Sequence, residues 1–293
     1  MPRPIPVLVT SATERQGRAI AHLLLEKGHE VRALTSRPGC THARDLRALG
    51  ADVAVGGLED KAAIRRAAEG MRALVLIGNS PEEDTQAEIE QGCQAAEAAR
   101  DAGVRHVVYA SVAGAGRSTL IPHFDSKRRV EIFIQGMGVP HTIVAPVYLM
   151  ENFLDEAFLE GLRANTLSMP LPESREVQVT SAVDVAQFVR MVVERPTEFQ
   201  AKRIEIASDA LSGLEAASVL AHVTGRAICF ARSRPQGEGS VRMWEWVDRV
   251  GYDVDIDRLR QTYPDLGWHS FGAWATEQDW TLLHLASSKP QKA

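Results

Sequence analysis

Cysteines are scarce in this sequence, and so are long apolar runs. The 293 residues include three cysteines, Cys40, Cys93 and Cys229, which are far apart in the chain. Their number and spacing match neither a disulfide framework nor the ligand pattern of a zinc site, so we expect reduced thiols. No apolar run approaches the length of about 20 residues that a membrane helix needs, and the amino terminus has no signal-peptide pattern. These absences predict a soluble, cytoplasmic protein.

The sequence also lacks an excess of positive charge. It has 33 Lys and Arg against 38 Asp and Glu, a formal charge of -5, and its pI is near 6.0. This balance argues against a general nucleic-acid binder and against a protein that binds membrane surfaces. Because 45% of the residues are hydrophobic, the chain can bury a large core, as one large α/β domain with an appendage or as two small domains.

Strand and helix patterns alternate through the first half of the chain. Apolar runs typical of buried parallel strands are followed by helical patterns that end at glycine. Such alternation predicts an α/β fold with a doubly wound parallel Rossmann sheet and right-handed crossovers. The predicted strands are residues 5–10, 30–35, 52–55, 73–77, 106–111, 141–145 and 202–206.

The regular alternation fades after about residue 150. We assign residues 1–150 to the sheet domain, with a returning strand near 202–207, and residues 151–293 to a smaller, mostly helical, discontinuous domain. Residues 147–180 are predicted as helix plus loop, and the chain from residue 212 as mostly helical. All five tryptophans lie in that last part, where they are more often core or interface than pocket.

The first predicted strand leads into a tight turn and a helix. That is the layout of a dinucleotide-binding fingerprint, in which three glycines let a helix N-terminus meet a pyrophosphate. The three glycine positions are here Ser11, Glu14 and Gly17. Ser11 is a mild change provided that its φ stays negative. Glu14 brings a Cβ and a negative charge to the place of the phosphates.

The charge of Glu14 leaves two alternatives open. At about 4 Å and an effective dielectric near 20, one like-charge contact costs roughly 4 kcal/mol. Arg15, Arg18 and Arg37 could offset that charge, or Glu14 could point outward, and a nucleotide would then still bind. Otherwise the sheet has kept its fold and lost its nucleotide site.

Thr35, Ser36 and Arg37 follow the second predicted strand. An acidic residue at this place binds the ribose 2′-hydroxyl of NAD, whereas an arginine suits the 2′-phosphate of NADP. If a dinucleotide binds, the sequence therefore favours NADP(H) over NAD(H).

A possible proton-transfer group follows the strand that ends at Ser111. His123 and Lys127 are four residues apart on a predicted helix and therefore share one face. In short-chain reductases a Tyr-x-x-x-Lys pair supplies the proton for hydride transfer, and a serine orients the substrate oxygen. His123 stands here in the place of the tyrosine, and an imidazole can act as acid or base near neutral pH. Alternatively, His123 only caps the helix or packs, and Lys127 only contacts the nicotinamide ribose.

The segment 146–153 leaves the sixth predicted strand at the carboxyl edge of the sheet, where ligands of such sheets bind. Tyr148, Met150 and Asn152 are candidates to face a substrate there. Alternatively, these side chains pack the hinge between the two halves of the chain.

These segments together resemble the NmrA-like proteins, a branch of the atypical short-chain dehydrogenase/reductases. Residues 11–17, Ser-Ala-Thr-Glu-Arg-Gln-Gly, are similar to the Gly-x-Thr-Gly-x-Gln-Gly loop of that family. Val-Val-Tyr-Ala-Ser at 107–111, His-Phe-Asp-Ser-Lys at 123–127 and Pro-Val-Tyr-Leu-Met-Glu-Asn-Phe at 146–153 also match. The resemblance covers about residues 5–210.

The resemblance implies a Rossmann fold with a smaller C-terminal substrate domain. It also implies a set of dinucleotide contacts, to which we add Ser11 and Arg15 from the same turn. Glu90 stands where some relatives would have a basic cofactor contact. The contacts implied by the match are Thr13, Gln16, Gly17, Arg37, Asn79 and Lys127.

Three functions remain open. The first is an NADP(H)-dependent reductase of a small carbonyl, quinone or enone, with Ser111, His123, Lys127 and Tyr148 as catalytic candidates. The second is a non-catalytic NADP(H) sensor, which the missing tyrosine favours. The third is an accessory protein with a degenerate nucleotide site, which Glu14 supports. We expect a small-molecule substrate and neither nucleic acid nor membrane as partner; a protein partner or a homo-oligomer stays open.

Overall fold

The chain folds into two compact units. The structure is a computed structural model that describes residues 3–78 and 84–284. The first unit contains the described residues up to 147, with 182–206 and 263–266. The second unit contains residues 148–181, 207–262 and the described residues from 267 onward.

The described residues form strands and helices in the alternation that the sequence predicts for the first half of the chain. The strands are β1 (Pro6–Val9), β2 (Glu30–Thr35), β3 (Asp52–Val55), β4 (Ala73–Ile77), β5 (His106–Ala110), β6 (His141–Pro146), β7 (Tyr148–Leu149), β8 (Thr166–Met169), β9 (Glu176–Thr180), β10 (Lys202–Ile206), β11 (Asp209–Ser212) and β12 (Cys229–Arg232). The α-helices are α1 (Arg15–Glu26), α2 (Thr41–Ala48), α3 (Lys61–Ala68), α4 (Thr85–Asp101), α5 (Pro122–Gly136), α6 (Glu156–Arg163), α7 (Ala182–Glu194), α8 (Pro196–Phe199), α9 (Gly213–Thr224), α10 (Glu238–Arg249), α11 (Ile256–Thr262) and α12 (Phe271–Glu277). Short 3₁₀ helices cover Met150–Leu154, Pro264–Leu266 and Trp280–His284.

A seven-stranded parallel sheet is the centre of the first unit. Its strand order is β10-β6-β5-β4-β1-β2-β3, and each neighbouring pair is parallel. This confirms the predicted doubly wound Rossmann sheet. The order reverses between β1 and β4, and ligands of such sheets bind outside the carboxyl ends of the strands at this reversal. The turn after β1 and the residues after β4 therefore position the candidate site.

Helices cover both faces of this sheet, and the sequence reflects that burial. Val7, Leu8 and Val9 of β1 are fully buried, because a central parallel strand is covered on both sides. Helix α1 packs against α7, and α4 packs against α3 and α5. Helix α4 buries alanines on the side that packs, and these small side chains allow a close approach. None of the helices in the described ranges has the length and apolar character to cross a bilayer.

The second unit contains strands that the sequence did not reveal. β11, β9 and β7 form one small sheet, and β12 pairs with β8 in another. The prediction of residues 147–180 as helix plus loop is therefore wrong for β7, β8 and β9. The unit is held by an aromatic core in which Phe271 packs on Phe153 and Trp274, with ring centroids 4.9 and 5.2 Å apart.

Candidate functional site

The turn after β1 is held in a conformation that glycine adopts most easily. Ser11 has a φ of 48°, so the condition under which its replacement of glycine would be mild, a negative φ, is not met. A side chain in this left-handed region costs roughly 1–2 kcal/mol. The Ser11 hydroxyl offsets part of that cost by donating a hydrogen bond to the carbonyl oxygen of Ile77, 2.9 Å away in the core. The turn therefore keeps the shape of the glycine fingerprint without its first glycine.

Gly17 is required where the first turns of α1 pass over this bend. A Cβ at Gly17 would lie 2.3 Å from the carbonyl oxygen of Ser11, far closer than two such atoms can approach. The retained glycine therefore allows α1 to lie against the turn, as the third glycine of the fingerprint does.

Glu14 points away from the start of α1. It is the N-cap residue of that helix, and its side chain makes no capping hydrogen bond. Its carboxylate instead accepts a hydrogen bond from the guanidinium of Arg37. The Glu14 side chain thus does not bind the N–H groups of the first helical turn. That turn begins with the half-buried Arg15 and Gln16. A helix N-terminus of this kind favours an anion such as a diphosphate.

A shallow cleft of about 20 Å³ lies beside this turn, at the carboxyl ends of β2 and β3. Thr13 and Thr35 line it, and their hydroxyl oxygens lie 2.9 Å apart. The backbone N–H of Arg37 donates to the Thr35 hydroxyl at 3.0 Å, which fixes the start of the segment that carries the guanidinium. Gly56 and Gly57 form the wall beyond β3. Its location, next to a helix N-terminus and an arginine, is where such folds bind the adenosine end of a dinucleotide.

Lys127 is paired with a buried carboxylate, Glu88, that was not among the predicted site residues. Its Nζ lies 2.8 Å from Oε1 of Glu88, and the hydroxyl of Tyr109 donates to the same oxygen over 3.4 Å. Burial raises the pKa of Tyr109 well above its ordinary value, and the charge of Glu88 raises it further. The phenol therefore stays protonated as a donor to Glu88.

Glu88 lies at the same sheet edge as the turn after β1. A Cβ at Gly78, directly after β4, would lie 2.5 Å from Oε1 of Glu88. Glu90, which stands where some relatives would have a basic cofactor contact, is exposed and accepts a hydrogen bond from Gln86. The signal for Glu88 was its place on the buried small-residue stripe of α4, in line with Gly92. The predicted contact at Asn79 lies outside the described residues.

The hydroxyl of Ser111 belongs to a buried network of charged side chains that joins α5 at Glu131, one helical turn after Lys127. This hydroxyl donates to Glu131, which is fully buried and also accepts hydrogen bonds from Arg203 at 3.1 Å. Burial alone would lower the pKa of Arg203, but its hydrogen bonds with Glu131 and Glu205 raise it overall. Glu131 lies one helical turn beyond Lys127 on α5, so Ser111 bonds further along this helix than the predicted catalytic pair.

His123 and Lys127 both lie in the first half of α5, as predicted. The half-buried His123 ring meets Phe124 edge-on, with centroids 4.9 Å apart. Ser111 reaches the same helix through Glu131. Tyr148 belongs to the second unit, where its ring packs on Phe153 and Trp244. The structure thus places three of the four catalytic candidates around α5 in one unit.

Comparisons with known proteins agree with this architecture. The model of the NmrA-like family matches residues 6–236. The (4-alkanoyl-5-oxo-2,5-dihydrofuran-3-yl)methyl phosphate reductase of Streptomyces griseus is 30% identical over 226 residues, which are 76% of this chain and 76% of the relative.

Two solved structures show the same fold. The NADPH-dependent quinone oxidoreductase of Escherichia coli, complexed with NADPH, has a TM-score of 0.76 at 20% identity and covers 92% of this chain and 98% of its own. The negative transcriptional regulator NmrA, in complex with NADP, has a TM-score of 0.75 at 19% identity and covers 94% and 95%. Fold, turn and family match together confirm the resemblance: the chain belongs to the NmrA-like family.

Proposed function

We propose that this protein binds NADP(H) and reduces a small carbonyl, quinone or enone by hydride transfer. The observation that carries the proposal is the direction of Glu14. Because its carboxylate lies on Arg37, it does not cover the N-terminus of α1, where the diphosphate would bind. Thr13, Gln16 and Gly17 belong to the same turn and helix start. The third possibility, a nucleotide site lost through Glu14, is correspondingly less well supported.

The substrate class is supported by the relatives rather than by a contact. The Streptomyces griseus relative is named as a reductase of a furanone phosphate, and the Escherichia coli neighbour as a quinone oxidoreductase. Both substrates contain a carbonyl or quinone group. We further propose that the enzyme is cytoplasmic and acts on a small molecule, and the charge balance argues against nucleic acid or a membrane surface as its partner.

Reduction of such a group adds a hydride to carbon and a proton to oxygen, and the bound NADPH supplies the hydride. The chain must orient both partners and deliver the proton. Lys127, fixed by Glu88 at 2.8 Å, is assigned to the ribose of the nicotinamide end. His123, one turn before it on α5, is assigned to the proton. Ser111 and Tyr148 are assigned to the orientation of the substrate, and for Ser111 this requires that its hydroxyl exchange Glu131 for the substrate.

The second candidate is a non-catalytic NADP(H) sensor. Two observations favour it: His123 replaces the tyrosine of the reductase pair, and the hydroxyl of Ser111 is already donated to Glu131. The solved regulator NmrA in complex with NADP shows that this fold also occurs in a protein described as a transcriptional regulator. In this case a protein partner would distinguish the oxidised from the reduced cofactor.

One set of measurements distinguishes the reductase from the sensor. Purified protein is titrated with NADPH by nucleotide fluorescence, and NADPH oxidation is followed with a panel of quinones, enones and aldehydes. A reductase binds NADPH and oxidises it with at least one substrate of the panel. Lys127→Ala then lowers kcat/KM by at least about tenfold, whereas Lys61→Ala, at an exposed position, does not. His123→Ala lowers kcat by about a hundredfold and removes the fall in rate at high pH, because a proton donor is active only while it is protonated.

The other outcomes are equally specific. A sensor binds NADPH, turns over no member of the panel, and binds a partner differently with NADP⁺ and with NADPH. An absence of NADPH binding to folded protein contradicts both candidates.

A further inference from the structure

We propose that the carboxylate of Glu14 competes with the 2′-phosphate of NADPH for the guanidinium of Arg37, and that the Glu14–Arg37 pair thereby sets the choice between NADPH and NADH. The inference rests on the proposed binding of a dinucleotide and adds a specificity-determining residue to it. Arg37 follows β2, where the 2′-position of the adenosine ribose is recognised. In this structure a carboxylate of the chain already bonds its guanidinium.

The pair is built so that a ligand can open it. The side chains of Glu14 and Arg37 are 46% and 60% exposed, and exposed ion pairs of this kind contribute little to folding. A phosphate carries more charge than a carboxylate and offers a guanidinium two parallel hydrogen bonds. The 2′-phosphate therefore displaces Glu14 from Arg37, but it does so against the charge of the displaced carboxylate.

The location of Glu14 makes the competition direct. Glu14 lines the cleft between the turn and the ends of β2 and β3, next to Thr13 and Thr35. Glu14 is also the N-cap residue of α1, so its backbone is fixed. Its carboxylate therefore remains near the ribose after the phosphate has displaced it from Arg37. A phosphate in this cleft then meets a like charge at close range.

NADH needs no displacement. Its ribose has a 2′-hydroxyl, which is a hydrogen-bond donor, and an acidic side chain is the usual acceptor for it. Glu14 can accept that hydrogen bond while its second oxygen stays on Arg37, because a carboxylate has two oxygens and about four acceptor sites. NADH therefore binds while the Glu14–Arg37 pair is intact, whereas NADPH binds only after the pair has separated. The wild-type protein accordingly discriminates weakly between the two dinucleotides.

The test is the ratio of two dissociation constants in three proteins. NADPH and NADH are titrated by calorimetry into the wild type, Glu14→Gln and the control Glu26→Gln, which removes the same charge at the other end of α1 from a side chain that is 53% exposed. Glu14→Gln should tighten NADPH by about five- to tenfold and leave NADH unchanged or about twofold weaker. The control should leave both constants unchanged.

Adenosine 2′,5′-bisphosphate and adenosine 5′-monophosphate, titrated in the same way, report the ribose site without the nicotinamide half. The gain of Glu14→Gln should appear for the bisphosphate alone and shrink as salt is added. Equal effects on NADPH and NADH, or none, would overturn the role of Glu14 while leaving the proposed function intact. Failure of all three proteins, each with an unchanged melting curve, to bind either dinucleotide would overturn both.

Discussion

The Nζ of Lys127 lies 2.8 Å from Oε1 of Glu88, with the two side chains 22% and 9% exposed. Helix α4 also carries the glutamate of a second lysine–glutamate pair of equal length, Glu97 with Lys61 of α3, in which the lysine and glutamate side chains are 50% and 35% exposed. The two pairs differ mainly in burial, and burial determines the cost of losing one partner. An unpaired carboxylate in the interior is expensive, whereas one at the surface is solvated by water.

This comparison gives the first prediction. Lys127→Met should lower the free energy of unfolding by about 2 kcal/mol, because it leaves Glu88 buried without its cation. Lys61→Met should change it by less than about 1 kcal/mol. Urea unfolding of both variants measures the difference. Adding Glu88→Gln to Lys127→Met should restore part of the loss, and equal losses for the two lysines would contradict the argument.

The second prediction concerns the contact between α1 and the turn. Gly17→Ala places a Cβ at 2.3 Å from the Ser11 carbonyl oxygen, so α1 must move away and unfolding should become easier by about 3 kcal/mol. Gly136→Ala, at the end of α5, meets nothing within 4 Å and should be neutral or stabilising by up to about 1 kcal/mol. Thermal unfolding ranks the two; the same loss in both would show that the close approach at Gly17 is not what matters.

The third prediction separates strain from hydrogen bonding at Ser11. Ser11→Ala keeps the left-handed φ of 48° and loses the hydrogen bond to Ile77, so it should destabilise by about 1 kcal/mol. Ser11→Gly loses the same bond and also removes the backbone strain, so it should be more stable than Ser11→Ala by about 1 kcal/mol. Denaturant unfolding of the two variants provides the test. A Ser11→Ala protein at least as stable as Ser11→Gly would exclude strain in this turn.

The fourth prediction is a pH dependence at the opposite edge of the sheet. Burial, and to a smaller extent the charge of His141, together lower the pKa of His106 from 6.5 to about 4. The ring is 4% exposed, and its Nε2 lies 2.9 Å from the hydroxyl of Thr142. Between these two pH values the unfolded chain binds a proton that the folded chain does not. Stability therefore rises with pH through this window and falls as the pH is lowered toward 4.

The measurement is urea unfolding at a series of pH values from neutral to mildly acidic. Between pH 7 and pH 4 the wild type should lose up to about 3 kcal/mol more than His106→Gln does. The exposed His222→Gln should follow the wild-type curve. A His106→Gln profile parallel to that of the wild type would show that His106 is not the group responsible.

The sheet of the first unit could be predicted because its signals are local. Buried parallel strands appear as short apolar runs, and the glycines predicted to end helices do so with positive φ, as at Gly28 and Gly103, with φ of 81° and 88°. The strands of the second unit carry no such signal. β8 pairs with β12, about sixty residues later in the chain, at Thr166 opposite Cys229, and a four-residue segment cannot announce a partner at that distance.

The places of the candidate residues in the secondary structure were predictable, but the directions of their side chains were not. Arg37 follows a strand and Lys127 lies on a helix, as the sequence predicts. The direction of Glu14 depends on a partner 23 residues away, and the φ of Ser11 depends on the geometry of the whole turn. Glu88 was missed because an acidic residue in a helix normally faces water, and its burial follows from Lys127 and Tyr109, which come from other parts of the chain.

The position of β10 limits how the gene can be shortened. This strand, residues 202–206, is the edge strand of the sheet next to β6, and in the chain it follows β7, β8 and β9. A fragment that stops at residue 150 would lack both β10 and α7, and it would present the unpaired N–H and C=O groups of β6 as a new edge open to aggregation. Because the first unit is discontinuous in the chain, no single stop codon yields it alone. Expressing this unit by itself requires an internal deletion and a new linker that joins the remaining segments.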